Sequence, residues 1–204
     1  MDAQKMVDQE RRDLTLPFLS RMSEKEIAQV LYTYCVILRR YFLLWLALAM
    51  VRSETEVARQ AARRNLLCEL SEDHDALLLG FATQIPDLGQ DTPDDLVWLA
   101  DDKAKSVTHG CHGVRSGAQT VIALLENLSV DFIPWMTEAA QRLNFTDLSY
   151  LEKHGRADVA HAAEFVTAVD AELKGTKSEI PMSVVDDVRT LLKRIFNAHT
   201  LTSP

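Results

Sequence analysis

The stretch Tyr150-Leu151-Glu152-Lys153-His154-Gly155-Arg156-Ala157-Asp158-Val159-Ala160-His161 organises the reading of this chain. His154, Asp158 and His161 stand at relative positions i, i+4 and i+7. At about 100° per residue on an α-helix they project within roughly 60° of one another. The same face continues into Leu151 and Phe165, so it is expected to point into a core. Two imidazoles and a carboxylate on an inward stripe are ligands suited to iron, manganese or zinc. The competing explanation is a hydrogen-bonded polar cluster in a helix interface.

The rest of the chain reads as helical. Glycine is scarce, at seven of 204 residues, and no run alternates with the period of a strand. Residues 3–13 suggest a short polar helix. Ser23 and Glu26 form a capping box that opens a long helix to about Val51, with Ile27, Val30, Leu31, Tyr34, Leu38, Tyr41, Trp45 and Leu48 on one face. Its apolar tract Tyr41–Val51 is too short to span a bilayer, so a buried central helix is expected. Arg39 and Arg40 fall off the apolar face and read as surface or snorkelling residues, with substrate ligands as the less favoured alternative. Ser53 and Glu56 suggest a second capping box, for a helix to about Leu70. Ser71 is placed to cap a helix to about Ala82, and Thr92, with Pro93 at the first position, one that fades near Ser106.

Thr108–Gly113 reads as a flexible connector. A helix from Val114 to Asn127 is expected next, then another started or bent by Pro134, then the motif helix from about Thr146, stopped by Gly175. Ser183 is expected to cap a last helix. The sum is one all-α domain over residues 1–204, a bundle of about eight helices with residues 1–22 as an N-terminal extension.

Bulk properties narrow the function. The net charge is −8 with acids and bases scattered, which argues against nucleic acid or an anionic membrane as partner. The N-terminus lacks a signal-peptide core. Three widely separated cysteines, Cys35, Cys68 and Cys111, fit reduced thiols in a cytoplasm. There is no His-Glu-x-x-His, no Gly-x-Ser-x-Gly and no phosphate loop.

One helix cannot close a metal site alone. Glu126 lies within an apolar run, where a charge is costly to bury unless it is paired or bound; the alternative is a solvent-facing glutamate at a helix end. Glu69 sits in Asn65-Leu66-Leu67-Cys68-Glu69-Leu70, followed by His74. On an unbroken helix Glu69 and His74 would point about 140° apart, so both serve one site only if the helix breaks near Ser71. Otherwise Glu69 pairs with an arginine of the Arg63–Arg64 neighbourhood and His74 merely starts a helix. Three carboxylates and three imidazoles around two divalent metals leave one positive charge for a hydroxide or a substrate carboxylate. His109 and His112, flanking Cys111, form a second and weaker metal-like pair.

These residues together resemble the haem-oxygenase-like di-metal oxidases. The resemblance rests on His154-x3-Asp158-x2-His161, on Glu126 in a Leu-Leu-Glu context with Pro134 soon after, and on Asn65-Leu66-x-x-Glu69 followed by His74. It spans residues 55–170. Members often read Asn-Leu-x-Glu-Glu; here Cys68 replaces the first acid, and Glu72 competes with Glu69 as ligand. The resemblance implies a haem-oxygenase-like fold without haem. It implies two irons, Fe²⁺ before O₂ binds, or manganese in their place, held by Glu69, His74, Glu126, His154, Asp158 and His161. The chemistry implied is O₂-dependent oxidation of a small acid. An aliphatic amino acid, desaturated or cyclised in natural-product biosynthesis, is the preferred substrate, as in the ring-forming isoleucine oxidases. A fatty acid, or N-oxygenation of an amine, is the alternative. An external electron donor and a homodimer are compatible with this reading. Tyr34, Tyr41 and Trp45 are expected as pocket wall, and Arg115 as a substrate anchor or a surface ion-pair partner. Outside this class stand a metal-free, thiaminase-like hydrolase with a nucleophilic cysteine and a non-enzymatic helical interaction module.

Overall fold

The computed structural model describes residues 2–71, 74–86 and 94–197, without the side chains of residues 94–96 and 156–158. Helices are the regular elements among those residues: α1 (Ala3–Asp13), a 3-10 turn (Leu19–Arg21), α2 (Glu24–Arg52), α3 (Glu56–Ser71), α4 (His74–Ala82), α5 (Asp94–Gly113), α6 (Gly117–Arg142), α7 (Ser149–Thr176) and α8 (Met182–Phe196). The all-α architecture expected from the helical punctuation is what the chain adopts. The expected Thr92–Pro93 cap lies outside the described residues.

α6 is the axis of the bundle. Every residue from Gly117 to Ser129 is buried, and α1, α2, α5, α7 and α8 pack around it. A helix apolar all round is a core helix. Polar side chains tie it to its neighbours. Gln119 Nε2 donates to Ala49 O and Ser53 Oγ, both at 2.6 Å, which holds the end of α2. Asn127 Nδ2 donates to Ala162 O at 3.2 Å, pinning α6 to α7. α1 lies on α6 and α7 with Met6 and Val7 buried, and Glu10 accepts from Arg189 Nε of α8 at 2.8 Å.

α2 begins at the Ser23–Glu26 capping box. By length and composition it is the one described helix able to cross a membrane; here it packs against α3, α5 and α6. The start of α3 differs from expectation. Ser53 is drawn away to Ala49 O and Gln119, and Thr55 caps instead, its Oγ1 accepting from Ala58 N at 3.3 Å. Buried Glu172 of α7 in turn accepts from Thr55 N at 2.7 Å and Thr55 Oγ1 at 2.8 Å. A carboxylate is favourable there because it meets the orphan N–H groups and positive end of a helix.

Three other boundaries move. Thr108–Gly113 is the last turn of α5, not a connector. Residues 117–142 form one helix through Pro134. The ring removes a single hydrogen bond, and it sits on the exposed side. Gly175 lies inside α7; Lys177, with φ of 52°, supplies the left-handed cap. Gly175 is instead a close approach, since a Cβ there would meet Thr55 Cγ2 at 2.8 Å. Ser183 lies within the first turn of α8, whose cap position is Pro181.

The tightest crossing is between the ends of α5 and α6. A Cβ on Gly117 would lie 2.4 Å from Gly110 O, a backbone atom that cannot swing aside. Gly117→Ala is therefore expected to destabilise the fold by about 1–3 kcal/mol through overpacking. Urea unfolding followed by circular dichroism measures it; an unchanged midpoint would contradict the packing described.

Candidate metal centre

α3 presents one buried face made of Ala58, Ala61, Ala62, Asn65 and Glu69. The alanines let α2 and α7 approach, and the two polar residues follow on the same stripe. α3 ends at Ser71 and α4 starts at His74. His74 Nδ1 stands 2.7 Å from Glu69 Oε1, so the two share one site although five residues of continuous helix would point them about 140° apart. Glu69 thus meets an imidazole and not the neighbouring arginines: Arg64 pairs with Glu164 at 3.3 Å and Arg63 is exposed.

α7 adds His154, whose ring centroid is 4.8 Å from that of His74. One ligating atom from each of Glu69, His74 and His154 falls within 4.8 Å of the others. α6 supplies Glu126 from its most apolar stretch. Its Oε1 accepts from Asn65 Nδ2 at 2.7 Å, and its Oε2 lies 3.9 Å from His161 Nδ1. The expected ligands therefore fall in two sets, Glu69, His74 and His154 within 4.8 Å of one another and Glu126 beside His161, with Glu126 lining the same cavity as the first set. The side chain of Asp158, the sixth, and Glu72, the alternative to Glu69, lie outside the described residues.

Glu69 and Glu126 are only 8% and 4% exposed, and both line one cavity with His74 and His154. It measures about 250 Å³ and is walled by aliphatic and aromatic side chains of α2, α4, α6 and α8, among them Ile37, Phe42, Leu78, Phe132 and Leu192. Tyr34 and Trp45 line it as expected. Tyr41 does not: it stacks on Trp45 at 5.6 Å and donates to Asp101 at 2.9 Å. Burial, then the Asp101 hydrogen bond, push its phenol up to about 12. Arg115 is also remote from the cavity. It stands 3.7 Å from Glu54 with both side chains exposed, because α6 begins after it.

One contributor escaped the sequence reading. Tyr150, one turn before His154, packs its ring 4.4 Å from the imidazole, and its hydroxyl lies 3.1 Å from that of Tyr34. Burial and the facing Tyr34 raise its phenol well above the ordinary range, so it stays protonated. The i, i+4 spacing to His154 was the signal. Arg39 also lines the cavity beside Asp75; its helical projection favoured the surface over the substrate-ligand alternative.

The donor set suits a metal. Ligand atoms held about 2.0–2.2 Å from one ion stand at most ~4.4 Å apart, so the 4.8 Å cluster of Glu69, His74 and His154 closes with shifts of tenths of an ångström. The donors are oxygen and nitrogen without sulfur, the preference of iron and manganese over structural zinc. Asn65 is fully buried, and its Oδ1 has no hydrogen-bond partner among the described residues, which marks a polar site incomplete as protein alone. His109 and His112 make no such site: both are exposed, while Cys111 faces the core.

Compared with known proteins, the chain matches no family model and no curated sequence at a significant level.

The thiols are placed unlike nucleophiles. Burial pushes Cys35 and Cys111 up to about 12, where the reactive thiolate is scarce at neutral pH. With a thiol-reactive disulfide at pH 8, the native chain is expected to release at most one rapid equivalent, from half-buried Cys68. Denaturant should expose the others. Rapid labelling of Cys35 in the native chain would contradict the burial.

Proposed function

We propose that the chain is a non-haem di-metal oxidase of the haem-oxygenase-like class, with Glu69, His74, Glu126, His154, Asp158 and His161 holding two irons. The observation that carries this reading is the meeting of Glu69, His74 and His154 within 4.8 Å on the wall of an apolar cavity that Glu126 also lines. Iron held there would supply the O₂-dependent oxidation of an unactivated C–H bond.

The protein's own part is positioning and exclusion of water. Asn65 fixes one oxygen of Glu126 at 2.7 Å and leaves the other toward His161. The Glu69–His74 contact orients both side chains before any ion arrives. The aliphatic walls keep the site dry and receive an apolar substrate body, while Tyr150 keeps a phenolic O–H beside His154. At about 250 Å³ the cavity lies below the range of about 300–1,000 Å³ seen for drug-sized ligands. That favours a compact aliphatic molecule, an amino acid over a long-chain fatty acid. The thiaminase-like alternative is less favoured, since burial keeps the Cys35 and Cys111 thiols protonated and Cys68 is not among the residues lining the cavity.

Anaerobic Fe²⁺ titration followed by metal analysis tests the assignment. About two irons per chain are expected for the parent protein. Glu126→Ala and Asp158→Ala should each lose at least one iron with helicity unchanged. Asn65→Ala should weaken binding by about 10–100-fold through loss of the group orienting Glu126. Absence of stoichiometric metal, or full iron content in Glu126→Ala, would overturn the proposal.

A further inference from the structure

The cavity has one fixed cation on its wall. Among the described lining residues Arg39 is the single lysine or arginine. Its Nε donates to Asp75 Oδ1 at 3.1 Å, and the two side chains are 51% and 57% exposed. Arg40, the next residue, is differently engaged, holding Asp101 at 3.0 Å without touching the cavity. So the wall carries one guanidinium and one carboxylate side by side where the apolar chamber meets water, with Leu38, Phe42, Leu43 and Leu78 close by on the same wall. Asp75 directly follows His74, which places this pair next to the ligand cluster.

We infer that Arg39 and Asp75 form a reader for the zwitterionic head of an aliphatic α-amino acid, and that they determine substrate class. This rests on reading the cavity as a substrate site. The free pair is a solvent-exposed ion pair, a kind that contributes little and is easily opened. An amino acid entering by its side chain brings a carboxylate for Arg39, which can bind it through two N–H groups, and an ammonium for Asp75. One ion pair is exchanged for two, and no charge is left over. A ligand with one charge can replace one partner but adds no second pair: an amine offers nothing to Arg39, and a fatty acid nothing to Asp75. Discrimination then comes from the second ion pair, which only a ligand carrying both charges can make. The branched hydrocarbon body enters the aliphatic chamber toward Glu69, His74 and His154.

The test is calorimetric binding to the metal-free full chain, using L-leucine and L-isoleucine as probes. 3-Methylbutylamine and 4-methylpentanoate serve as leucine lacking, in turn, its carboxylate and its ammonium. At least one amino acid is expected to bind, with both singly charged probes at least tenfold weaker. Arg39→Gln and Asp75→Asn should each weaken the amino acid at least tenfold, and Arg39→Lys should retain part of the affinity. Both positions are exposed, and circular dichroism should show unchanged helicity. The inference is overturned if neither amino acid binds, if the amine or the acid binds as tightly, or if both neutralising variants bind like the parent. Fe²⁺ stoichiometry measured on the same samples separates the two readings. Amino-acid binding without iron sinks the metal assignment alone, and iron binding without amino-acid recognition sinks this one alone.

Discussion

Two carboxylates in the middle of a helical core, Glu69 and Glu126, impose the main constraint on this molecule. Removing a carboxylate from water costs several kcal/mol or more unless partners compensate. The core shows what ordinary compensation looks like. Glu10 is held by Arg189, and Glu172 accepts from Thr55 at the start of α3. Both are structural solutions that lead nowhere. Glu69 and Glu126 are treated differently: their described partners are imidazoles and an amide, and both open onto a cavity. Acids that face histidines beside a cavity are what the proposed metal centre would require.

The fold serves that arrangement at definite points. Glu69 on α3 and His74 on α4, which a continuous helix would separate, stand 2.7 Å apart. Asn127 ties α6 to α7 one residue beyond Glu126, so the partners Glu126 and His161 are set by the same joint. Gln119 and Gly117 fix the near end of α6 against α2 and α5. α8 closes the chamber with Leu191, Leu192 and Ile195. The ligand cluster is thus carried by four helices whose relative placement is locked by side chains outside it.

Helical periodicity and capping patterns were enough to reveal an all-α chain, and the i, i+4, i+7 spacing on α7 marked His154 and His161 as facing inward together. The condition that α3 must break before His74 could also be read from the angle between Glu69 and His74. What could not be read was tertiary. Thr108–Gly113 looks like a connector because of its glycines, yet Gly110 continues α5, its carbonyl lying against Gly117, and packing outweighs the modest helix penalty of glycine. Pro134 looked like a boundary, but one lost hydrogen bond on an exposed side does not end a helix so well buried on its other faces. Arg39 was assigned to the surface by its projection from α2, and that is where half of it lies; only the arrival of α4 with Asp75 gives it a cavity. Tyr41 failed for the converse reason, since sharing a face in projection says nothing about which neighbour covers it, while Arg115 is the surface ion-pair partner that the sequence offered as the alternative to a substrate anchor.

Anomalous diffraction from crystals soaked in Mn²⁺ tests the central claim most directly. The account predicts one anomalous peak enclosed by Glu69, His74 and His154, and a second beside Glu126 and His161. A fully soaked crystal with no peak between these side chains, or with manganese only on surface acids, would contradict it.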